Sequence, residues 1–207
     1  MKDWLVYSIG FLAQLLFSSR LILQWIISEK QKKVVTPVLY WILSLIGAIF
    51  LFVYGSLRND FAIMLGQTLT YFIYIRNLQL QKQWKKISVA FRWFLILIPA
   101  VAIIYYLNDI SKVEYLFFNE TLPIWLLLLG IVSQIVFTFR FVYQWMYSEK
   151  YKKSTLPYGF WLLSLIGAIL ILIYGIIRKD IVLIAASAFG SFIYARNLIL
   201  LREKSFS

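Results

Sequence analysis

The sequence predicts an all-α integral membrane protein with seven transmembrane helices, built from two copies of a three-helix unit and one linking helix. Composition, long apolar runs and an internal repeat predict it. The 207-residue chain is 62% hydrophobic and 14% charged, with a mean hydropathy of +0.79. A soluble domain is about half apolar and about a quarter charged. Since about 20 apolar residues suffice for one membrane span, seven spans with short loops use nearly all of the chain.

The internal repeat divides the chain. Residues 10–80 align without a gap on residues 130–200 at an offset of 120, with 31 identities over 71 positions. A match of this length indicates a duplication. We therefore predict a first three-helix repeat at 1–80, a linker with a central transmembrane helix at 81–121 and a second three-helix repeat at 122–207.

Each copy contains three apolar runs, and the linker contains one more. The predicted spans are 4–27, 38–57 and 61–78 in the first copy, 87–107 in the linker, and 122–147, 158–177 and 181–200 in the second copy. Because one helix links the copies, both enter the membrane in the same direction. The arrangement is then a 3+1+3 parallel repeat, whose symmetry axis lies along the membrane normal.

The basic residues predict the orientation. Fourteen Lys and Arg residues fall on the side of the C-terminus and five on the side of the N-terminus. Basic residues concentrate in cytoplasmic loops, so we expect an outer (periplasmic) N-terminus and a cytoplasmic C-terminus. The net charge of +12 is spread over short loops rather than over one soluble face. This favours anionic lipid head groups as partners and argues against nucleic acid.

The residue types absent from the chain restrict its chemistry. The sequence has no Cys and no His, so it lacks a thiol nucleophile, an imidazole base and the usual zinc ligands. Its Asp and Glu residues lie at span ends or in loops, without a paired-carboxylate motif. We therefore expect no enzymatic activity, catalytic residue, metal or cofactor.

Two arginines inside apolar spans are the strongest candidates for a functional site. Arg20 and Arg140 occupy equivalent positions in the two repeats, and Gln24 and Gln144 follow them at i+4 on the same helix face. An Arg inside a membrane span costs about 2.5–3.5 kcal/mol on insertion scales. Two guanidinium groups brought together would suit a phosphate or diphosphate. The alternative is that both side chains extend to cytoplasmic head groups and only anchor their helices.

Further candidates lie near span ends. Arg76 and Asn77, repeated as Arg196 and Asn197, close the third spans and would either complete a head-group site or anchor the helix at the interface. Aromatic residues near span ends usually belong to interface belts, and we expect this of Trp25, Trp41, Tyr74 and their counterparts. Tyr54 and its counterpart Tyr174, near the outer ends of the second spans, are candidate ligand contacts.

The repeated motif resembles a known family. Arg-x-x-x-Gln-Trp-x-x-Ser-Glu-Lys, Pro, Trp-x-x-Ser-Leu-x-Gly, Tyr-x-x-x-Arg-x-Asp and Tyr-x-Arg-Asn-Leu follow one another in residues 20–78 and again in residues 140–198. This combination looks like the lipid-A-disaccharide synthase N-terminal-like domain family. That family is similar to the SWEET and PQ-loop group of membrane proteins, whose duplicated members have the 3+1+3 layout and an outer N-terminus.

The resemblance implies a role with lipids in the bacterial inner membrane. Some relatives carry this unit fused to a glycosyltransferase, which these 207 residues do not contain, so synthase activity is not expected. Stand-alone relatives resemble partners of polyprenyl-phosphate glycosyltransferases. The leading hypothesis is a flippase-like transporter of a polyprenyl-phosphate-linked sugar or related anionic glycolipid. The alternatives are a SWEET-type facilitator of sugars or small solutes and a non-catalytic subunit of a polyprenyl-phosphate glycosyltransferase.

Overall fold

The structure, a computed structural model, describes residues 3–57, 61–107, 124–177 and 181–203. These residues form seven α-helices and one short 3₁₀ helix, which confirms the all-α fold class. The helices are α1 (Asp3–Gln31), α2 (Val38–Leu57), α3 (Phe61–Leu80), α4 (Val89–Leu107), α5 (Ile124–Tyr151), α6 (Tyr158–Ile177) and α7 (Ile181–Glu203), and the 3₁₀ helix is Trp84–Lys86. Residues 108–121 of the predicted linker and the first two residues of the span predicted at 122–147 lie outside this part.

Five of the described helices are long and apolar enough to cross a membrane. They are α1, α2, α5, α6 and α7. The helices α1 and α5 both continue past the span ends predicted at residues 27 and 147. The 29 residues of α1 extend over roughly 44 Å at 1.5 Å per residue, which exceeds the ~30 Å hydrocarbon core. The polar Ser-Glu-Lys turn therefore remains helical, and α1 projects beyond the apolar layer.

The two other predicted spans correspond to α3 and α4. The helix α3 covers the span predicted at 61–78 and contains the polar residues Gln67, Thr70, Arg76 and Asn77, and it is not among the five. In α4 the apolar stretch that the structure describes is Val89–Ile98. Membrane crossing by α3 and α4 therefore stays a prediction.

Three helix ends have the same local geometry. Lys32, Lys82 and Lys152 adopt positive φ angles of 50°, 60° and 50° after α1, α3 and α5. In each case the next backbone N–H donates to the carbonyl five residues earlier, as Lys33 does to Ser28 at 3.2 Å. This is the Schellman pattern, which satisfies carbonyl groups at the helix end. The chain turns sharply at each of these ends. After α1 and α5 the following helix starts directly after Pro37 and Pro157, and after α3 the 3₁₀ helix follows.

Each repeat is a bundle in which the second helix packs between the first and third. The helices α1 and α3 both pack on α2, and α5 and α7 both pack on α6. Between the repeats, α3 packs on α5 and α1 packs on α7. The central core is aromatic, with Tyr40, Trp41, Phe141, Phe160 and Trp161 among its buried residues. The helix α4 joins it where the Tyr71 hydroxyl donates to the Leu95 carbonyl at 2.8 Å.

Candidate functional site

Arg20 and Arg140 lie in the centre of the molecule, where the two repeats meet. Each side chain is only 4% exposed. The Cζ atom of Arg20 lies 5.5 Å from the centroid of the Phe141 ring, and that of Arg140 lies 4.7 Å from the same centroid. One aromatic ring of α5 therefore contacts both guanidinium groups. Neither arginine reaches the surface as a simple anchor would.

Neutral partners surround Arg20. Its Nη1 donates to the Ser44 hydroxyl at 2.5 Å, and its Cζ lies 5.6 Å from the Tyr74 ring centroid. Its Cζ lies 4.5 Å from the Phe17 centroid and 5.1 Å from the Tyr40 centroid. These aromatic faces attract the cation through their quadrupoles.

Arg140 has an equivalent surrounding in the second repeat. Its Nη1 donates to the Tyr194 hydroxyl at 3.2 Å. Its Cζ lies 3.4 Å from the Phe137 centroid and 5.6 Å from the Phe160 centroid. Tyr194 and Phe137 are the counterparts of Tyr74 and Phe17 at the offset of 120, so the duplication reproduces the site as well as the helices.

Small residues of α2 and α6 create the space for this aromatic surround. A Cβ atom added to Gly47 would lie 3.0 Å from the Phe17 ring, and one added to Gly167 would lie 3.0 Å from the Phe137 Cα. The absence of a side chain at these two glycines lets α1 and α5 approach their neighbours closely. This close approach of the helices positions Phe17 and Phe137, the phenylalanines that stack on the arginines.

Among the described residues, the charges of the two arginines have no acidic partner. Within the part of the chain that the structure describes, neither guanidinium forms an ion pair with a carboxylate. Further buried donor atoms there find no hydrogen-bond partner among the described residues: Arg20 Nε, Arg140 Nε, Trp41 Nε1, Trp161 Nε1 and the Tyr40 hydroxyl. Burying a charge without an opposite charge is costly. An anionic group bound between the repeats would compensate the two buried positive charges and accept hydrogen bonds from the unpartnered donors.

One helical turn beyond the arginines, Gln24 and Gln144 bond across the repeats instead of facing the guanidinium groups. The Gln24 amide donates to Asn197 Oδ1 at 2.9 Å and accepts from Asn197 Nδ2 at 3.3 Å. Gln144 and Asn77 form the same reciprocal pair at 2.8 and 3.0 Å. All four side chains are fully buried. The sequence-predicted glutamines and asparagines thus occupy the α1–α7 and α3–α5 contacts.

Two ion pairs lie farther along the same contacts. Arg196 binds both carboxylate oxygens of Glu29, at 3.0 and 2.6 Å. Arg76 binds both oxygens of Glu149, one of them from its Nη2 at 3.1 Å. The side chains are between 26% and 37% exposed, so this layer lies at one end of the bundle. In the structure the predicted head-group arginines therefore bind carboxylates of the opposite repeat.

The structure does not bring every predicted site residue together. Tyr54 and Tyr174 are half-buried and pack over Gly10 and Gly130. Gly10 precedes Arg20 by ten residues on α1, which places it roughly 15 Å away along the helix axis. The two tyrosines are therefore separate from the arginine pair, and the ligand contacts predicted for them stay a prediction.

Sequence reasoning placed several site residues in the wrong environment. Trp41, Tyr74 and their counterparts Trp161 and Tyr194 were expected at the membrane interface, but all four are at most 3% exposed. The spacing contained a usable signal, because Trp41 lies three residues before Ser44 and six before Gly47. A helix positions such residues on one side, so Trp41 belongs to the close-packed face.

Within the described ranges no group of His, Cys, Asp or Glu could hold a metal ion.

Long apolar helices around a buried pair of guanidinium groups define this chain as a multi-pass α-helical membrane protein. Residues 9–79 and 129–199 each match the model of the Lipid A Biosynthesis N-terminal domain. The chain belongs to this family and contains the domain in two tandem copies.

The relatives are longer proteins. A lipid-A-disaccharide synthase of Chlamydia pneumoniae is 32% identical over 204 residues, covering 94% of this chain and 33% of the relative. The synthase of Chlamydia felis is 32% identical over 211 residues, covering 97% and 34%. That of Chlamydia trachomatis serovar D is 29% identical over 215 residues, covering 98% and 35%. The chain therefore spans about a third of the length of these relatives. No solved structure matches it.

Proposed function

We propose that this protein binds the phosphate of an anionic lipid between its two repeats and carries that lipid across the bacterial inner membrane. The lipid would be a polyprenyl-phosphate-linked sugar or a related glycolipid used in lipid A or envelope modification. The observation that carries the proposal is the pair of buried guanidinium groups, Arg20 and Arg140, which have neutral partners and no carboxylate in the described part of the chain.

The ligand chemistry follows from the donors at the site. Arg and Trp side chains donate hydrogen bonds and accept none, so a group rich in acceptor oxygens fits them. A phosphate supplies such oxygens together with the negative charge that two buried cations require. A neutral sugar has hydroxyl groups that donate as well as accept, and it carries no charge. The site therefore favours a phosphate-bearing lipid over the substrate of a SWEET-type facilitator.

The architecture supports movement between two parallel repeats. In this proposal the repeats form a 3+1+3 arrangement with the lysine-rich end in the cytoplasm and the N-terminus in the periplasm. Among the described helices, the substantial contacts between the repeats are those of α1 with α7 and of α3 with α5. Rocking of one bundle against the other would break these contacts and change access to the arginine pair.

Native mass spectrometry of the purified protein tests the proposal. The comparison is between the wild-type chain, the Arg20→Gln/Arg140→Gln variant and a Lys85→Ala/Lys86→Ala control. The control removes the same number of charges from the exposed 3₁₀ helix. We expect the wild type and the control to retain a phosphate-bearing lipid that the arginine variant loses. Because the variant removes uncompensated buried charge, it should remain folded by size-exclusion chromatography.

An Arg20→Lys/Arg140→Lys variant separates charge from geometry. Lysine keeps the positive charge but lacks the planar fork of guanidinium, so we expect lipid retention between those of the wild type and the glutamine variant. Equal retention of the lipid by the wild type and the glutamine variant would contradict the proposal. Transport itself is then measured in proteoliposomes, as movement of the identified lipid between leaflets.

The names of the relatives support a second candidate function. Nearly all of this chain aligns with only a third of proteins named lipid-A-disaccharide synthase. A membrane module that aligns with part of an enzyme in those chains could act here as a non-catalytic subunit of a polyprenyl-phosphate glycosyltransferase. In that case the protein would copurify with the transferase, and the Arg20→Gln/Arg140→Gln variant would restore transferase activity to a deletion strain.

A further inference from the structure

In the ring that precedes the buried tryptophan, one half of the arginine site has a hydroxyl group that the other half lacks. At the offset of 120, Tyr40 of the first repeat corresponds to Phe160 of the second. Three other ring pairs keep their identity between the repeats, namely Phe17 and Phe137, Trp41 and Trp161, and Tyr74 and Tyr194, whereas Phe141, which contacts both arginines, corresponds to Leu21. The first half therefore has a polar atom that the second half lacks.

The additional hydroxyl is central and buried. Tyr40 is 0% exposed, and the Arg20 Cζ lies 5.1 Å from its ring centroid. The Tyr40 hydroxyl oxygen has no hydrogen-bond partner among the residues that the structure describes. A buried hydroxyl without a partner is unfavourable, which indicates that its partner is a ligand.

Arg20 offers a second donor on the same side. Its Nη1 bonds Ser44, whereas its Nε lacks a partner in the described part of the chain. Trp41, whose ring centroid lies 4.9 Å from that of Tyr40, adds an unpartnered indole N–H. In the second half, Arg140 stacks at 3.4 Å on Phe137 and faces Phe160, which has no polar atom. Arg140 Nε and Trp161 Nε1 are also unpartnered among the described residues, so the first half exceeds the second by one donor, the Tyr40 hydroxyl.

We infer that the phosphoryl group of the lipid lies on the first-repeat side of the site, where the Tyr40 hydroxyl and Arg20 Nε donate to its oxygens. Arg140 then contributes charge from the opposite side, and the Phe160 ring contacts an apolar part of the ligand. Tyr40 is a specificity-determining residue for phosphate-bearing over neutral lipids. This inference rests on the proposed function and specifies the orientation of the ligand between the two repeats.

Exchange of the two rings tests the inference. The probes are farnesyl phosphate, the neutral alcohol farnesol and inorganic phosphate, titrated against the full chain in detergent. A hydrogen bond to a charged group contributes enough that Tyr40→Phe should weaken farnesyl phosphate binding about 10-fold or more. Farnesol binding should not change. Because Phe160 already occupies the equivalent position, the Tyr40→Phe chain is expected to fold.

The matched variants define the result that would overturn the inference. The Phe160→Tyr substitution in the Tyr40→Phe chain should recover less than the full affinity, since Arg140 lies stacked on Phe137. Unchanged farnesyl phosphate binding by Tyr40→Phe, or an equal loss of farnesol binding, would overturn the role of the hydroxyl. Tyr40-dependent binding of inorganic phosphate as tight as that of farnesyl phosphate would assign the site to free phosphate instead of a lipid.

The same titration separates this inference from the proposed function. If Arg20→Gln/Arg140→Gln loses farnesyl phosphate while Tyr40→Phe retains it, the phosphate site stands and the asymmetry is wrong. If the arginine variant also binds farnesyl phosphate like the wild type, both are wrong.

Discussion

The two contacts between the repeats use the same residues but differ in their hydrogen bonds. The α3–α5 contact pairs Asn77 with Gln144, and the α1–α7 contact pairs Asn197 with Gln24. In the α3–α5 contact, the Ser154 hydroxyl also donates to Asn77 Oδ1 at 2.7 Å. There the Gln144 amide donates in addition to the Thr155 carbonyl at 2.9 Å.

The difference originates in the loops that follow α1 and α5. The position equivalent to Ser154 in the first repeat is Val34, which has no side-chain donor. A duplication therefore kept the amide pair that joins the repeats, while two loop residues set its strength. The α3–α5 contact should be the stronger one, and the α1–α7 contact should separate first when the repeats move apart.

The largest effect is expected from removing one asparagine of each contact. Asn77→Leu breaks bonds to Gln144 and Ser154 and leaves the Gln144 oxygen unsatisfied, so it should lower the free energy of unfolding by about 2 kcal/mol. Asn197→Leu likewise breaks the amide pair and a bond to its own helix and leaves the Gln24 oxygen unsatisfied, but it breaks no bond like that from Ser154 to Asn77, so it should cost about 1 kcal/mol. Unfolding curves of the purified variants in detergent measure both values.

A loop substitution sharpens this comparison. In a chain that carries Ser154→Val, the α3–α5 contact acquires the valine that the first repeat has at the equivalent position. The two asparagine substitutions should then cost nearly the same. If Asn77→Leu and Asn197→Leu already cost the same with Ser154 in place, the loop hydrogen bonds do not distinguish the contacts.

A comparable difference is expected at the glycines beneath the arginine site. A Cβ on Gly167 would meet the Phe137 Cα as well as its ring at 3.0 Å, whereas one on Gly47 would meet only ring atoms of Phe17. A ring can rotate away more easily than a backbone can shift. Gly167→Ala should therefore destabilise the protein by about 1–2 kcal/mol more than Gly47→Ala, as measured by thermal unfolding in detergent. Equal losses would mean that α5 can move away from α6 as freely as the Phe17 ring rotates.

The sequence predicted the helices and the paired arginines because both depend on local patterns. Apolar runs of span length indicate membrane helices, and an Arg inside such a run is conspicuous wherever it lies. The repeat then made Arg20 and Arg140 equivalent, and a central pair followed from that equivalence. These features require no knowledge of which helices are neighbours.

The partners across the repeats could not be predicted in the same way. Gln24 bonds Asn197, a residue 173 positions away, and no local pattern selects that asparagine over a ligand. Trp41 was assigned to an interface belt because a tryptophan near a helix start has the same sequence signal whether lipid head groups or other helices surround it. Its burial depends on the packing of α2 between α1 and α3, which is a tertiary property.

The smallest effect is expected from the ion pairs, and it tests whether the two contacts differ only in their buried layer. Glu29 binds Arg196 and Lys32, and Glu149 binds Arg76 and Lys152, so the charged layer is equivalent in both contacts. Glu29→Gln and Glu149→Gln should each destabilise the protein less than the changes above, because partly exposed ion pairs are weakened by solvent and salt. Unfolding in detergent at low and high salt should give nearly equal losses for both variants, and the losses should shrink as salt rises. A clearly larger loss for Glu149→Gln would place part of the asymmetry in the charges, and the loop hydrogen bonds would then not explain it alone.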